Sequence, residues 1–259
     1  MLFIGLFLAI FVGTTLGMLG SGGSILTVPI FVYIFKIDPV LATAYSMFAI
    51  CINALVGGIR GFKNANVDMD KLLKFGIPSM ISVFVMRKFI VPLIPDEFEV
   101  LGFVIHQSEL LMVIFAILML FAGYAMYNDL KLPHKRYSFL SILSKGVLVG
   151  SVTGGVGAGG GFLIVPALTN IFNLEMRKAV STSLVLISIN SFLGLMGDTR
   201  RIGQFDWTLL LGYTSLMLLG LFFGFYLSNK IESKKLKRVF GIGIILVGVI
   251  VLLEEFKIL

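Results

Sequence analysis

A chain of 259 residues that is 58% hydrophobic, only 14% charged and has a mean hydropathy of +1.01 is too apolar to be a soluble domain. Its formal charge of +7 does not point to nucleic acid, because the basic residues are spread over short loops between apolar runs, where a cytoplasmic-side bias accounts for them. One cysteine, Cys51, inside an apolar run excludes a disulfide framework, a cysteine metal cluster and paired-thiol chemistry.

Apolar runs of roughly 17 to 25 residues, enough to cross a bilayer, are predicted at 2–19, 41–59, 71–94, 108–127, 139–157, 178–197, 207–228 and 238–256. The first opens MLFIGLFLAIF with no basic residue before it and no small-residue cleavage site after it. It is expected to be a mature membrane helix and not a removable signal peptide. A glycine cluster follows, and then ILTVPIFVYIF at 25–35, too short to cross. About 11 helical residues at about 1.5 Å each span about 17 Å, against a hydrocarbon core of about 30 Å. This piece is expected to be a half-helix. In the next run, positions 42, 46, 50, 53 and 57 fall on one helical stripe. Further along come a loop with Arg60, Lys63, Asp68, Asp70, Lys71 and Lys74, a helix ending near Arg87 and Lys88, an acidic loop with Asp96, Glu97, Glu99 and His106, and a helix at 110–127.

After the basic segment KLPHKR at 131–136 the same order repeats. GTTLGMLGSGGSILTVP at 13–29 and GSVTGGVGAGGGFLIVP at 150–166 match at Gly13, Gly17, Gly20, Gly22, Gly23, Leu26, Val28 and Pro29 with a spacing of 137 residues. The pairing runs without a gap to Gly57 over Gly194 and includes Ala42/Ala179, Ser46/Ser183, Ile50/Ile187 and Asn53/Asn190, so the chain is an internal duplication. The units are 1–128 and 139–259, with 129–138 as a basic cytoplasmic linker.

Loop charges choose the number of crossings. Were the half-helices re-entrant, the 21 Lys and Arg would divide 11 to 10 between the two sides; with each half-helix completing a crossing they divide 15 to 6. The positive-inside rule selects five crossings per unit, and an odd number inverts the second unit. The expected fold is therefore an all-α polytopic membrane protein. It has two inverted repeats with glycine-broken half-helices, eight full spans plus two half-helices, and its N-terminus outside the plasma (inner) membrane.

Such a layout binds a substrate near the midplane. The candidate binding residues are Gly20, Ser21, Gly22, Gly23 and Ser24 in the first copy and Gly157, Gly159, Gly160 and Gly161 in the second, with Asn53, Ser183 and Asn190 on the stripes. Backbone N–H groups and the positive dipole end at a half-helix start favour an anion. The alternative is that the glycines only let helices pack closely. Asn53 and Asn190 are either ligand or coupling-ion contacts or partners of backbone groups freed at the breaks. Gly155-x-Gly157-x-x-Gly160 matches a dinucleotide fingerprint but lacks the strand, the βαβ unit and the acidic partner. No Asp, Glu or His lies mid-span, Asp198 and Asp206 being at ends, and Arg200 and Arg201 read either as interfacial or as attracting anions at a vestibule.

The duplicated G-x-x-x-G-x-x-G-x-G-G-x-x-x-x-V-P with the downstream A-x-x-x-S resembles the TauE/SafE sulfite exporter family across essentially the whole chain. That resemblance implies membrane movement of sulfite, organosulfonates or related organic anions, often outward, with about eight spanning helices. The expected function is a permease for small anions, with the lipid bilayer as its surroundings and no catalytic, metal or cofactor site. The alternatives are an anion channel or an integral membrane redox or enzyme subunit, and one cysteine with two loop histidines does not furnish the latter.

Overall fold

The computed structural model describes residues 2–20, 23–95, 97–100, 103–128, 138–157, 159–228, 230 and 233–256. Ser21, Gly22 and nearly all of the 129–138 linker lie outside them. Helices α1 (Leu2–Leu19), α2 (Ser24–Pro29), α3 (Pro39–Lys63), α4 (Met69–Val85) and α5 (Gln107–Tyr127) make the first unit. Helices α6 (Phe139–Val156), α7 (Gly161–Phe172), α8 (Met176–Gly197), α9 (Trp207–Ser228) and α10 (Ser233–Glu255) make the second. The acidic loop before α5 carries a short antiparallel hairpin, β1 (Glu97–Val100) with β2 (Phe103–His106), in which Glu97 faces His106.

Local chemistry sets the helix ends and breaks. Asp38 caps α3, its carboxylate accepting from the Val40 and Leu41 amides at 3.0 and 3.1 Å, with Pro39 at the first helical position. Pro29 cannot continue the α-helical ladder, and α2 widens into a π-helical turn over Ile30–Ile34, closed by the Phe35 amide on the Ile30 carbonyl at 3.2 Å. A second π-helical turn, Met86–Ile90, follows α4 and leads into a short 3₁₀ turn, Val91–Leu93. Gly157 ends α6 at φ +76° and Gly160 precedes α7 at φ +68°, left-handed conformations that glycine adopts without penalty.

The two units interlock through matching pairs. A Cβ at Gly13 on α1 would lie 1.8 Å from the Met217 carbonyl oxygen on α9, and one at Gly17 would lie 2.4 Å from that of Leu221. In the same way Gly150 on α6 abuts the Ser79 carbonyl on α4 at 2.4 Å and Gly154 that of Val83 at 2.9 Å. Residue numbers rise together in both pairs, so each runs parallel. By contrast α3 lies antiparallel to α8, Gly61 meeting Ser181 while Met47 meets Gly194, and α5 lies antiparallel to α10, Gly123 meeting Gly241 while Met119 meets Gly248. Helix α3 also runs parallel to α9, from Tyr45, whose hydroxyl accepts from the Asp206 amide, to Arg60, 4.4 Å from the Phe225 ring centroid. Because α1 and α3 are both parallel to α9, they are parallel to each other, and the chain between them must travel back. The half-helix does so: Gly23 lies against Val12 and Thr15 of α1, and the Phe35 ring against Gly5.

Among the described residues six helical stretches are long and apolar enough to cross a membrane, namely α3, α4 with its extension to Leu93, α5, α6, α8 and α9, while Phe3–Leu19 and Ser24–Ile34 are shorter apolar helices. Large apolar side chains such as Phe3, Phe7, Phe121 and Leu140 point outward, whereas Thr43, Ser46, Asn53, Thr182, Ser183 and Asn190 are fully buried, the inside-out polarity of a protein solvated by lipid.

Candidate functional site

The glycine breaks lie against the long central helices of the opposite unit. The Ser183 hydroxyl on α8 donates to the Gly20 carbonyl at 3.2 Å, and a Cβ at Gly20 would be 2.7 Å from the Val180 side chain. Gly157 packs on Thr43 of α3, the residue that the 137-residue spacing equates with Val180. Gly159 sits among Ile50, Ile187 and Ser191, and Ile50 and Ile187 are themselves duplicated positions, so this glycine is touched by the same position of both copies. Gly23 and Gly160 are confined, with would-be Cβ atoms 2.1 Å from the Val12 carbonyl oxygen and 1.9 Å from the Thr153 hydroxyl oxygen. Ser24 is buried and Gly161 begins α7. Gly20, Gly23, Gly157, Gly159 and Gly160 thus allow close packing at the breaks, and all of them but Gly23 hold a left-handed backbone as well.

The asparagines bridge helices. The Asn53 amide donates to Ala49 and Thr214 carbonyls at 2.9 and 3.3 Å, tying α3 to α9, and the Asn190 amide donates to the Ser79 hydroxyl at 2.9 Å, tying α8 to α4. The donor bonds that leave their own helix therefore go to α9 and α4 and not to the breaks. Both side-chain carbonyls, together with the hydroxyls of Ser46 and Ser191, are buried with no hydrogen-bond partner. Of these, the Ser191 hydroxyl faces the second break, 2.8 Å from where a Cβ of Gly159 would be.

Two corresponding places on opposite faces are in different states. At the face where α3 ends and α8 begins, a cavity of about 400 Å³ opens among Gly17, Gly57, Gly61, Leu184, Phe225 and polar or basic Arg60, Asn64, Arg177 and Ser181. At the face where α3 begins and α8 ends, the Arg87 side chain is fully buried. Its guanidinium donates to the Thr43 hydroxyl and reaches Asp198 at 3.3 Å, while Arg201 reaches the other oxygen of the same carboxylate at 3.0 Å. Gly197 and Gly157 flank Arg87 so closely that Cβ atoms there would lie 2.9 and 2.7 Å from it.

In the sequence Arg87 falls near a helix end and Asp198 at the end of a span, and nothing local joins the two. The available signal was an arginine inside the apolar run 71–94, a few residues before Pro92. The paired glycine motifs did locate the breaks that the arginine packs against. Of the cavity lining, the duplication marks Gly17 and Gly57, and Arg60 falls in the loop after the striped run. Among the described residues no group of three or more His, Cys, Asp or Glu side chains could hold a metal.

A family model described as sulfite exporter TauE/SafE matches residues 5–251. A probable membrane transporter protein of Xylella fastidiosa (strain Temecula1) is 26% identical over 93% of this chain and 91% of its own length. The probable membrane transporter protein YunE of Bacillus subtilis (strain 168) is 25% identical over 93% of each chain. Another from Methanocaldococcus jannaschii is 35% identical over 42% of this chain and 44% of its own. No solved structure matches. The chain belongs to the TauE/SafE family of membrane transporters, and is a multi-pass membrane protein.

Proposed function

We propose that this TauE/SafE family member is a secondary permease for small anions such as sulfite, organosulfonates or related organic anions, working by alternating access in the plasma membrane. The observation that carries this reading is the unequal state of the two corresponding places, an open cavity at one face and a buried Arg87–Asp198 pair at the other. A carrier caught with one side open presents this geometry, because the two halves exchange roles when the site turns to the other face. A cavity of about 400 Å³ falls in the roughly 300–1,000 Å³ range of small-ligand pockets, and Arg60 and Arg177 give it the charge that gathers anions.

The antiparallel α3–α8 and α5–α10 pairs, together with the parallel course of α1 and α3, support two inverted repeats of five crossings each, with the half-helices returning the chain. The excess of Lys and Arg in the loops on one side supports a cavity facing the cytoplasm and an N-terminus outside. The unpartnered Ser191 hydroxyl beside Gly159 and the start of α7 supports an anion position at the second break.

Purified protein in liposomes tests the reading. Preloaded sulfite should drive saturable counterflow of labelled sulfite or sulfonate, with sulfite-free and chloride-only vesicles as controls. Anion current without saturable counterflow would identify a channel instead, and neither flux nor current would overturn anion transport.

A further inference from the structure

The fold does not require the buried ion pair. Gly13 meets the Met217 carbonyl as Gly150 meets that of Ser79, and Gly17 meets Leu221 as Gly154 meets Val83. One turn further along these helices, Phe225 therefore stands where Arg87 stands in the other unit. The 137-residue spacing likewise puts Gly61 where Asp198 stands. Phe225 and Gly61 line the open cavity, where the Arg60 guanidinium lies 4.4 Å from the Phe225 ring centroid and no carboxylate is among the lining residues, so one half of the molecule fills this place without a buried ion pair and the other with one. Burying an ion pair in a lipid-embedded core stabilises little or nothing relative to apolar packing, and ionisable groups inside membrane spans mark ligand pathways.

The charge is also unbalanced. Arg87 and Arg201 share the single Asp198 carboxylate, and the Arg87 Nε is buried with no partner. Arg87 sits on a π-helical turn, a distortion frequent at functional sites, and its Nη2 lies beside Gly157 at the approach to the second break.

We propose that Arg87 binds the transported anion, and that the Asp198 carboxylate occupies in this conformation the place on the guanidinium that a substrate oxyanion takes when the opposite face opens. The ligand class is a small oxyanion with two oxygens spaced for a guanidinium fork, a sulfite, sulfonate or carboxylate, with Thr43 and Arg201 beside it. Exchange of one oxyanion for the other on the same arginine unlocks that face without leaving a charge unpaired. This inference rests on the transporter reading.

The test uses full-length protein in detergent and in liposomes, with sulfite, methanesulfonate, acetate and chloride as probes. Asp198→Asn removes the internal competitor and leaves the arginine. It should bind sulfite and methanesulfonate tighter, by about ten-fold or more, since a tethered competitor acts at an effective concentration in the millimolar range. Arg87→Gln should lose oxyanion binding and counterflow at least about ten-fold. The double variant Arg87→Gln/Asp198→Asn leaves no fully buried charge unpaired, Arg201 being partly exposed, so it should fold even where Arg87→Gln does not, and should still fail to transport. Tighter binding in Asp198→Asn is not expected of a merely structural ion pair. Wild-type transport together with unchanged affinity in Asp198→Asn, or a double variant that transports normally, overturns this inference alone. Absence of binding and flux in the wild type overturns the transporter reading and this inference with it.

Discussion

Single residues at the breaks divide between those that make room and those with unfilled valences. Gly160 makes room: a side chain there meets the Thr153 hydroxyl oxygen at 1.9 Å and the backbone sits at φ +68°. Gly160→Val should therefore destabilise the protein by about 3 kcal/mol or more, overpacking and strain combined, and show as loss of folded material in size-exclusion profiles. Ser191 is the opposite case, since its buried hydroxyl has no partner. Removing an orphaned polar atom is neutral or stabilising by up to about 1 kcal/mol, so Ser191→Ala should keep or raise the melting temperature while weakening sulfite binding. A well-folded, transport-dead Gly160→Val would return that glycine to a direct ligand role. A Ser191→Ala protein with unchanged sulfite affinity would remove the second break from the site.

At the scale of elements, small residues replace the hydrophobic effect as the means of joining helices. Lipid tails are as apolar as leucine, so helices associate through close van der Waals approach. The α1–α9 interface is built from Gly13, Gly17, Gly220 and Gly224, each of which faces the partner backbone at a distance no Cβ tolerates. The α4–α6 interface repeats the arrangement with Gly146, Gly150 and Gly154 on one helix only. Gly212, on the same α9, has open space around it. Gly13→Ala should therefore lower stability by about 1 to 3 kcal/mol, while Gly212→Ala should raise it by up to about 1 kcal/mol through helix propensity alone. Thermal unfolding of the two variants in the same detergent checks the contrast. Equal effects would mean that the α1–α9 seam is looser than described.

For the whole molecule the testable quantity is topology. Inverted repeats put the loop after α3 and the loop after α8 on opposite sides of the membrane, whereas parallel repeats put them on the same side. Lys63 and Gln204, both exposed, mark those loops. In a Cys51→Ser background, Lys63→Cys should react with a membrane-impermeant thiol reagent only from the cytoplasmic side and Gln204→Cys only from outside. Labelling of both from one side would exclude the inverted arrangement and with it the alternating exchange of the two halves.

The sequence by itself determined those features that depend on local chemistry and on self-comparison. Hydropathy marks each helix because lipid requires apolar side chains over a fixed length, and runs of glycine mark the breaks because few other residues adopt φ near +70° or allow such close approach. The 137-residue spacing already paired Gly20 with Gly157 and Asn53 with Asn190, and the half-helices followed from the length of the runs holding Pro29 and Pro166. Tertiary structure alone decided where these residues point. The asparagine amides turn to α9 and α4 and not to the breaks, because the first helix of each unit is lodged against the fourth of the other. Arg87 and Asp198 are 111 residues apart. An arginine followed by lysine shortly before a proline looks interfacial in sequence, since nothing local distinguishes a side chain that reaches headgroups from one folded inward. Only the packing of α4 against α8 and the start of α3 buries it. The same packing leaves the corresponding place in the other unit, with Phe225 and Gly61, open as a cavity.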